Sequence, residues 1–169
     1  MGTRRRLGAV ALCAVAGALL TGCEIKQELG ATCSTSPPVP HHNYGVVSVD
    51  IEVPPRVRAG STFTVRVDHI GASITPESPP NFPAGTISVT GGVTPSGNFG
   101  VGYPSGGDPA FPVTLSFTAT GAPGETVVVR AESGSGVLGT YPQAILLTCY
   151  PDAVLATIPI TSPDGSPPA

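Results

Sequence analysis

Four cysteines and three histidines stand out in a 169-residue chain otherwise poor in reactive groups, with only 11% charged residues and no Trp. His41 and His42 are neighbours, and adjacent residues in extended chain point opposite ways, so the pair chelates a single metal ion poorly. The third, His69, ends a run in which Phe63, Val65 and Val67 alternate with polar residues, so alternation places it on their buried face. His41, His42 and His69 are therefore weak metal candidates, and no metal or other cofactor is expected. Asp68 cannot easily orient the imidazole next to it, and no Gly-x-Ser-x-Gly elbow supplies a nucleophile. Glu77, Glu125 and Glu132 lack the spacing of an acid and base pair. The span from Gly92 to Gly97 has the glycine spacing of a phosphate loop, but Asn98-Phe99 stands where Lys and Ser or Thr belong. Catalysis is not expected. One loop, Gly91 to Gly107, carries Phe99 and Tyr103 among glycines. It reads as a mobile binding loop or, more simply, as a hairpin whose aromatics cover the end of a small core.

The cysteines carry more. Arg4, Arg5 and Arg6 precede an uncharged run, Leu7 to Leu20, too short for a helix spanning about 30 Å of hydrocarbon. A basic start followed by such a run is the pattern of a secretory signal. It ends in Leu20-Thr21-Gly22-Cys23, which resembles the lipobox of bacterial lipoproteins. That resemblance implies a diacylglyceryl thioether on Cys23, cleavage just before it, and residues 1–22 as the signal peptide. The lipid would hold the protein at the extracytoplasmic face of the cell membrane. Thr3 to Leu7 also faintly resembles a twin-arginine signal, so the general secretory and twin-arginine routes both stay open.

On that reading Cys13 leaves with the signal and Cys23 is lipidated. Cys33 and Cys149 remain in an oxidising compartment and most simply pair; two buried thiols are the alternative. The remaining chain holds five basic residues, Lys26, Arg56, Arg58, Arg66 and Arg130, against all eleven acidic ones, a formal charge of −6. This opposes nucleic acid as a partner.

Those features need a scaffold, and the sequence supplies strands. The chain has 22 Gly and 20 Pro, and its apolar residues repeat with a period of two. Val47, Val49, Ile51 and Val53 alternate with Ser48, Asp50 and Glu52. Further strands read from Phe63 to Asp68, Thr86 to Thr90, weakly Phe99 to Tyr103, then Val113 to Thr120, Thr126 to Glu132, Ala144 to Tyr150 and Ala153 to Thr161. Gly71 to Gly85 reads as a Pro-rich loop. Ala144 to Tyr150 is apolar on both faces and so is expected to be central. The expectation is an all-β chain, an antiparallel β-sandwich of about seven to eight strands. The run from Val49 to Val67, V-D-I-E-V-P-P-R-V-R-A-G-S-T-F-T-V-R-V, resembles the opening strand pair of bacterial immunoglobulin-like domains. That resemblance implies an immunoglobulin-like sandwich over 44–161, with 23–43 a lipidated Pro-rich leader and 162–169 a disordered tail.

Together these readings give a lipid-anchored, non-catalytic binding or structural module of the cell envelope. Its partners are the membrane, through Cys23, and an envelope protein or other surface component. A small-ligand or metal carrier is the alternative, and a cryptic hydrolase the third. The Gly, Pro and Ala content, with seven Arg to one Lys, fits a GC-rich genome and an actinobacterial-type envelope.

Overall fold

A computed structural model describes residues 22–36, 38, 43–75, 81–102, 111–139 and 143–164. Residues 1–21 of the segment read as a signal peptide, His41, His42, Tyr103 and the residues beyond Asp164 lie outside them. Every element among the described residues is a β-strand: β1 (Cys23–Ser36), β2 (Tyr44–Val53), β3 (Val57–Arg58), β4 (Thr62–Ser73), β5 (Asn81–Gly91), β6 (Val93–Thr94), β7 (Gly97–Gly102), β8 (Val113–Ala119), β9 (Thr126–Leu138), β10 (Ile145–Tyr150) and β11 (Ala153–Thr161). The chain is all-β, but the strands number eleven rather than seven or eight. They form one hydrogen-bonded sheet in the order β3-β11-β9-β10-β1-β2-β4-β8-β6, with β5 on β9 and β7 on β5. All ladders are antiparallel except the short β3–β11 pair. The sheet doubles over, so that β4 packs against β5 and β9, with which it shares no ladder. Between these layers lie the side chains that β-propensity favours, among them Val47, Ile51, Val65, Ile70, Ile87, Val129 and Ile158, all fully buried.

Residues 23–36, read from sequence as part of a leader, are the first strand. Ile25, Ala31 and Cys33 are buried and alternate with exposed Glu24, Lys26, Thr32 and Ser34. β1 pairs with β2 over ten residues, from Cys23↔Val53 to Thr32↔Tyr44. Its far end pairs with β10 over Thr32–Ser36, opposite Tyr150–Leu146. β10 has ladders on both sides, as a central strand should, yet only one face is covered: Leu146 and Tyr150 are exposed.

Two bulges reset the alternation. On β4, His69 faces Asp50 while Val67 faces Ile51, so Asp68 is an extra residue. On β9, Ser133 faces Thr86 and Ala131 faces Ile87, so Glu132 is extra. An extra residue shifts every later side chain to the opposite parity. Val65 and Val67 point inward before the first bulge, and Ile70 and Ala72 after it. β4 consequently continues to Ser73, and β5 already begins at Asn81, within the stretch read as loop. β9 also runs on past Glu132. There Gly134 lets the strand approach β2 closely, since a Cβ would come within 2.7 Å of Val47 Cγ1.

Cys33 and Cys149 face each other in the β1–β10 ladder and are joined by a disulfide that closes 116 residues of sequence. In the chain-entropy account a loop of this length stabilises by about 4–5 kcal/mol. Gly45 on β2 packs over the bridge, and a Cβ there would come within 2.8 Å of Cys33 Sγ and 2.6 Å of the Ser73 carbonyl oxygen. We expect the Cys33→Ala/Cys149→Ala variant to lose about 2–5 kcal/mol in urea unfolding. Gly45→Ala, which keeps both sulfurs, should lose about 1–3 kcal/mol by overpacking. An unchanged midpoint in both would show that the ladder needs neither the bond nor the space over it.

Candidate functional site

The bulge at Asp68 corrects the placement of His69. The ring does not join Val65 and Val67 in the core; it lies on the opposite, outward face, beside Asp50 and Ser48 of β2. There it is half-buried, with the Phe111 ring tilted over it at a centroid distance of 5.9 Å. Ser48 Oγ and His69 Nε2 share a 3.0 Å hydrogen bond. Asp50 turns Oδ2 to Lys26 Nζ at 3.3 Å, while its buried Oδ1 has no hydrogen-bond partner among the described residues. Lys26 also pairs with Glu24 at 2.7 Å, and Arg66 with Asp68 at 2.7 Å. Lys26, Gln27 and Glu28 of β1, Ser48 and Asp50 of β2 and His69 of β4 line a shallow cleft of about 320 Å³.

A serine, a histidine and an aspartate thus meet on one sheet face, brought together by strand pairing. The geometry is not that of an acyl-transfer triad. In that mechanism the carboxylate must hold the imidazole by a hydrogen bond on the nitrogen opposite the nucleophile. Here neither oxygen of Asp50 bonds to His69. Burial pushes the imidazole below its ordinary value, and the charge of Asp50 opposes that only in part. The cleft therefore holds a neutral histidine, able to accept or donate one hydrogen bond, next to an unsatisfied carboxylate oxygen. Among the described residues no three His, Cys, Asp or Glu side chains come together as a metal site would require.

The other sequence candidates fall elsewhere. Phe99 on β7 is partly buried and meets Phe117 edge-on at 5.2 Å; Phe117 in turn stacks on Phe63 at 5.7 Å. Phe99 is thus a core cover, as the hairpin alternative holds, and Tyr103 lies outside the described residues. Cys23 opens β1 opposite Val53, and its sulfur is disulfide-bonded. Ser48 and Asp50 escaped sequence reasoning as partners of His69, because only the bulge turns the imidazole toward them. No known protein family, curated protein or solved structure matches the chain.

The depressed His69 value fixes a sign. The unfolded chain takes up a proton near the ordinary histidine value of about 6.5, before the folded chain does. The stabilisation is therefore complete above that pH and is lost as pH falls through the folded value. We expect the urea midpoint of the wild type, relative to His69→Asn, to fall between pH 7.5 and pH 5 and to stay level above about 6.5. Parallel pH profiles for the two proteins would overturn the assignment.

Proposed function

We propose that this chain is a lipid-anchored module on the extracytoplasmic side of a bacterial cell envelope, acting by binding and not by catalysis. The observation that carries the reading is Cys23. It closes the Leu20-Thr21-Gly22-Cys23 segment behind an arginine-led apolar run, and it is also the first residue of the first strand. Cleavage before Cys23 leaves the sheet whole, with its first ladder pair at the new terminus. Thioether formation starts from the thiol, so on this reading the lipid is attached before, and in place of, the disulfide that holds the Cys23 sulfur here. Because β1 starts there, no flexible leader separates lipid from fold, and the domain would sit directly on the membrane. Two acyl chains hold such a protein stably where one does not.

The Cys33–Cys149 bridge supports an oxidising compartment. A doubled sheet with an all-β core supports an immunoglobulin-like binding module, in which fold is scaffold and function lies on faces and loops. The His69 cleft supports a non-catalytic role, since its carboxylate leaves the imidazole unoriented. The test is intact mass and detergent partitioning of the membrane-expressed protein. The wild type should lack residues 1–22, carry the mass of a diacylglyceryl group, and enter the detergent phase. Cys23→Ser should lose both the added mass and the partitioning. A wild-type protein without lipid mass, or a Cys23→Ser variant that partitions unchanged, would overturn the reading.

A further inference from the structure

Tyr44, Thr32 and Tyr150 form a row across three adjacent strands. Thr32 of β1 pairs with Tyr44 of β2 on one side and with Tyr150 of β10 on the other. All three point outward. Tyr44 is 78% exposed and Tyr150 56%, the two most exposed large apolar side chains among the described residues. Tyrosines on a sheet face normally pack on a cross-strand neighbour; these two are held apart by a threonine. Their Cα atoms are two strand spacings apart, about 9.5 Å.

The surroundings narrow what such a row can meet. Ser34 faces Thr148 one outward row further along, and Ser36 faces Leu146 beyond that. Outward positions here carry hydroxyls or apolar groups: from Gly30 to Ser36, Tyr44 to Ser48 and Ile145 to Tyr150 there is no Asp, Glu, Lys or Arg. Asp152, two residues past Tyr150, pairs with Arg130 at 2.6 Å, and Arg130 also approaches Glu132 at 3.9 Å. The charged side chains of β1 and β2 all lie toward the Cys23 end, at Glu24, Lys26, Glu28, Asp50 and Glu52. Among the described residues, an ionic partner would find no charged side chain on β1, β2 or β10 within this row, only the Arg130 pairs beyond Tyr150, whereas an uncharged one would lose no ionic hydration on docking. The support is stiff, because the Cys33–Cys149 bridge lies one residue away in the same ladder, with Gly45 packed over it. Little ordering is then needed on binding.

We propose that this face binds an extended, uncharged polysaccharide, with Tyr44 and Tyr150 as stacking platforms and the hydroxyls between them as hydrogen-bonding partners. Two aromatic platforms at this separation meet alternate pyranose rings of a β-1,4-linked chain, which turn the same face outward. Where the face sits relative to the membrane rests on the anchored reading, but its binding chemistry does not. Thr32 is nine residues along β1 from Cys23, about 30 Å from the lipid, on the half of the strand that leads away from the bilayer.

The test is native affinity electrophoresis of the full-length protein in detergent, through gels containing hydroxyethylcellulose as a neutral β-1,4-glucan or alginate as an anionic chain. We expect retardation by the first and not by the second. Tyr44→Ala and Tyr150→Ala should each weaken it about tenfold or more. Tyr44→Phe and Tyr150→Phe should keep most of it, and Phe99→Ala, on another face, should change retardation little. Absence of retardation by the neutral glucan, equal retardation by alginate, or binding indifferent to both alanine substitutions would overturn the proposal. So would a concentration-dependent dimer abolished by the same substitutions, since the row would then be an interface between copies. Running Cys23→Ser alongside separates the two readings: loss of lipid in the wild type sinks only the anchor, and loss of retardation sinks only the glycan face.

Discussion

Among the described strands, the β1–β10 seam is the one ladder that joins the two halves of the sheet. On one side are β10, β9, β11 and β3, with β5 and β7; on the other, β1, β2, β4, β8 and β6. Only five residue pairs cross between them, Thr32–Ser36 against Tyr150–Leu146, and the disulfide sits inside that short run. A five-pair ladder at the meeting of two long halves is the natural place for the sheet to part. A covalent bond there removes that motion more directly than further packing would. Burial of Leu147 beneath the seam and of Val47 beside Gly134 then locks the halves face to face. Whatever the outer surface of β1, β2 and β10 binds, its geometry is set by this junction.

Much of this was legible in the residues. Alternation of Val47, Val49, Ile51 and Val53 marks β2, and that of Val113, Leu115 and Phe117 marks β8, because each strand has one buried face and no irregularity. The bridge between Cys33 and Cys149 was legible from compartment and count. The bulges were not. Reading by period two ends one strand at Asp68 and another at Glu132, the two residues that prove to be insertions. Both lie two positions after an arginine, and both pair with it, Arg66 to Asp68 at 2.7 Å and Arg130 to Glu132 at 3.9 Å. A period broken at Arg-x-Asp or Arg-x-Glu and resumed one residue out of phase was thus the available signal. Missing it put His69 in the core and hid its pairing with Ser48. β1 was hidden differently. Its inward positions mix Ile25 and Leu29 with small or polar residues (Ala31, Gln27), so composition spoke for a leader while the alternation of Ile25, Leu29, Ala31 and Cys33 spoke for a strand.

The same strand divides the outer face chemically. Toward Cys23 it presents Glu24, Lys26 and Glu28, knitted by Lys26 to Asp50 of the next strand; toward Ser36 it presents Gly30, Thr32, Ser34 and Ser36. The charged half has a protective use. Between Cys23 and Ala31 β1 has a ladder on its β2 side alone among the described strands, and charged side chains discourage a second chain from pairing along such an edge. The hydroxyl half needs no such protection, because β10 already covers that edge. The tyrosine row falls at Thr32, the one β1 position with ladder partners on both sides among the described strands. Edge protection and seam closure together determine where on this sheet an aromatic binding face can be placed.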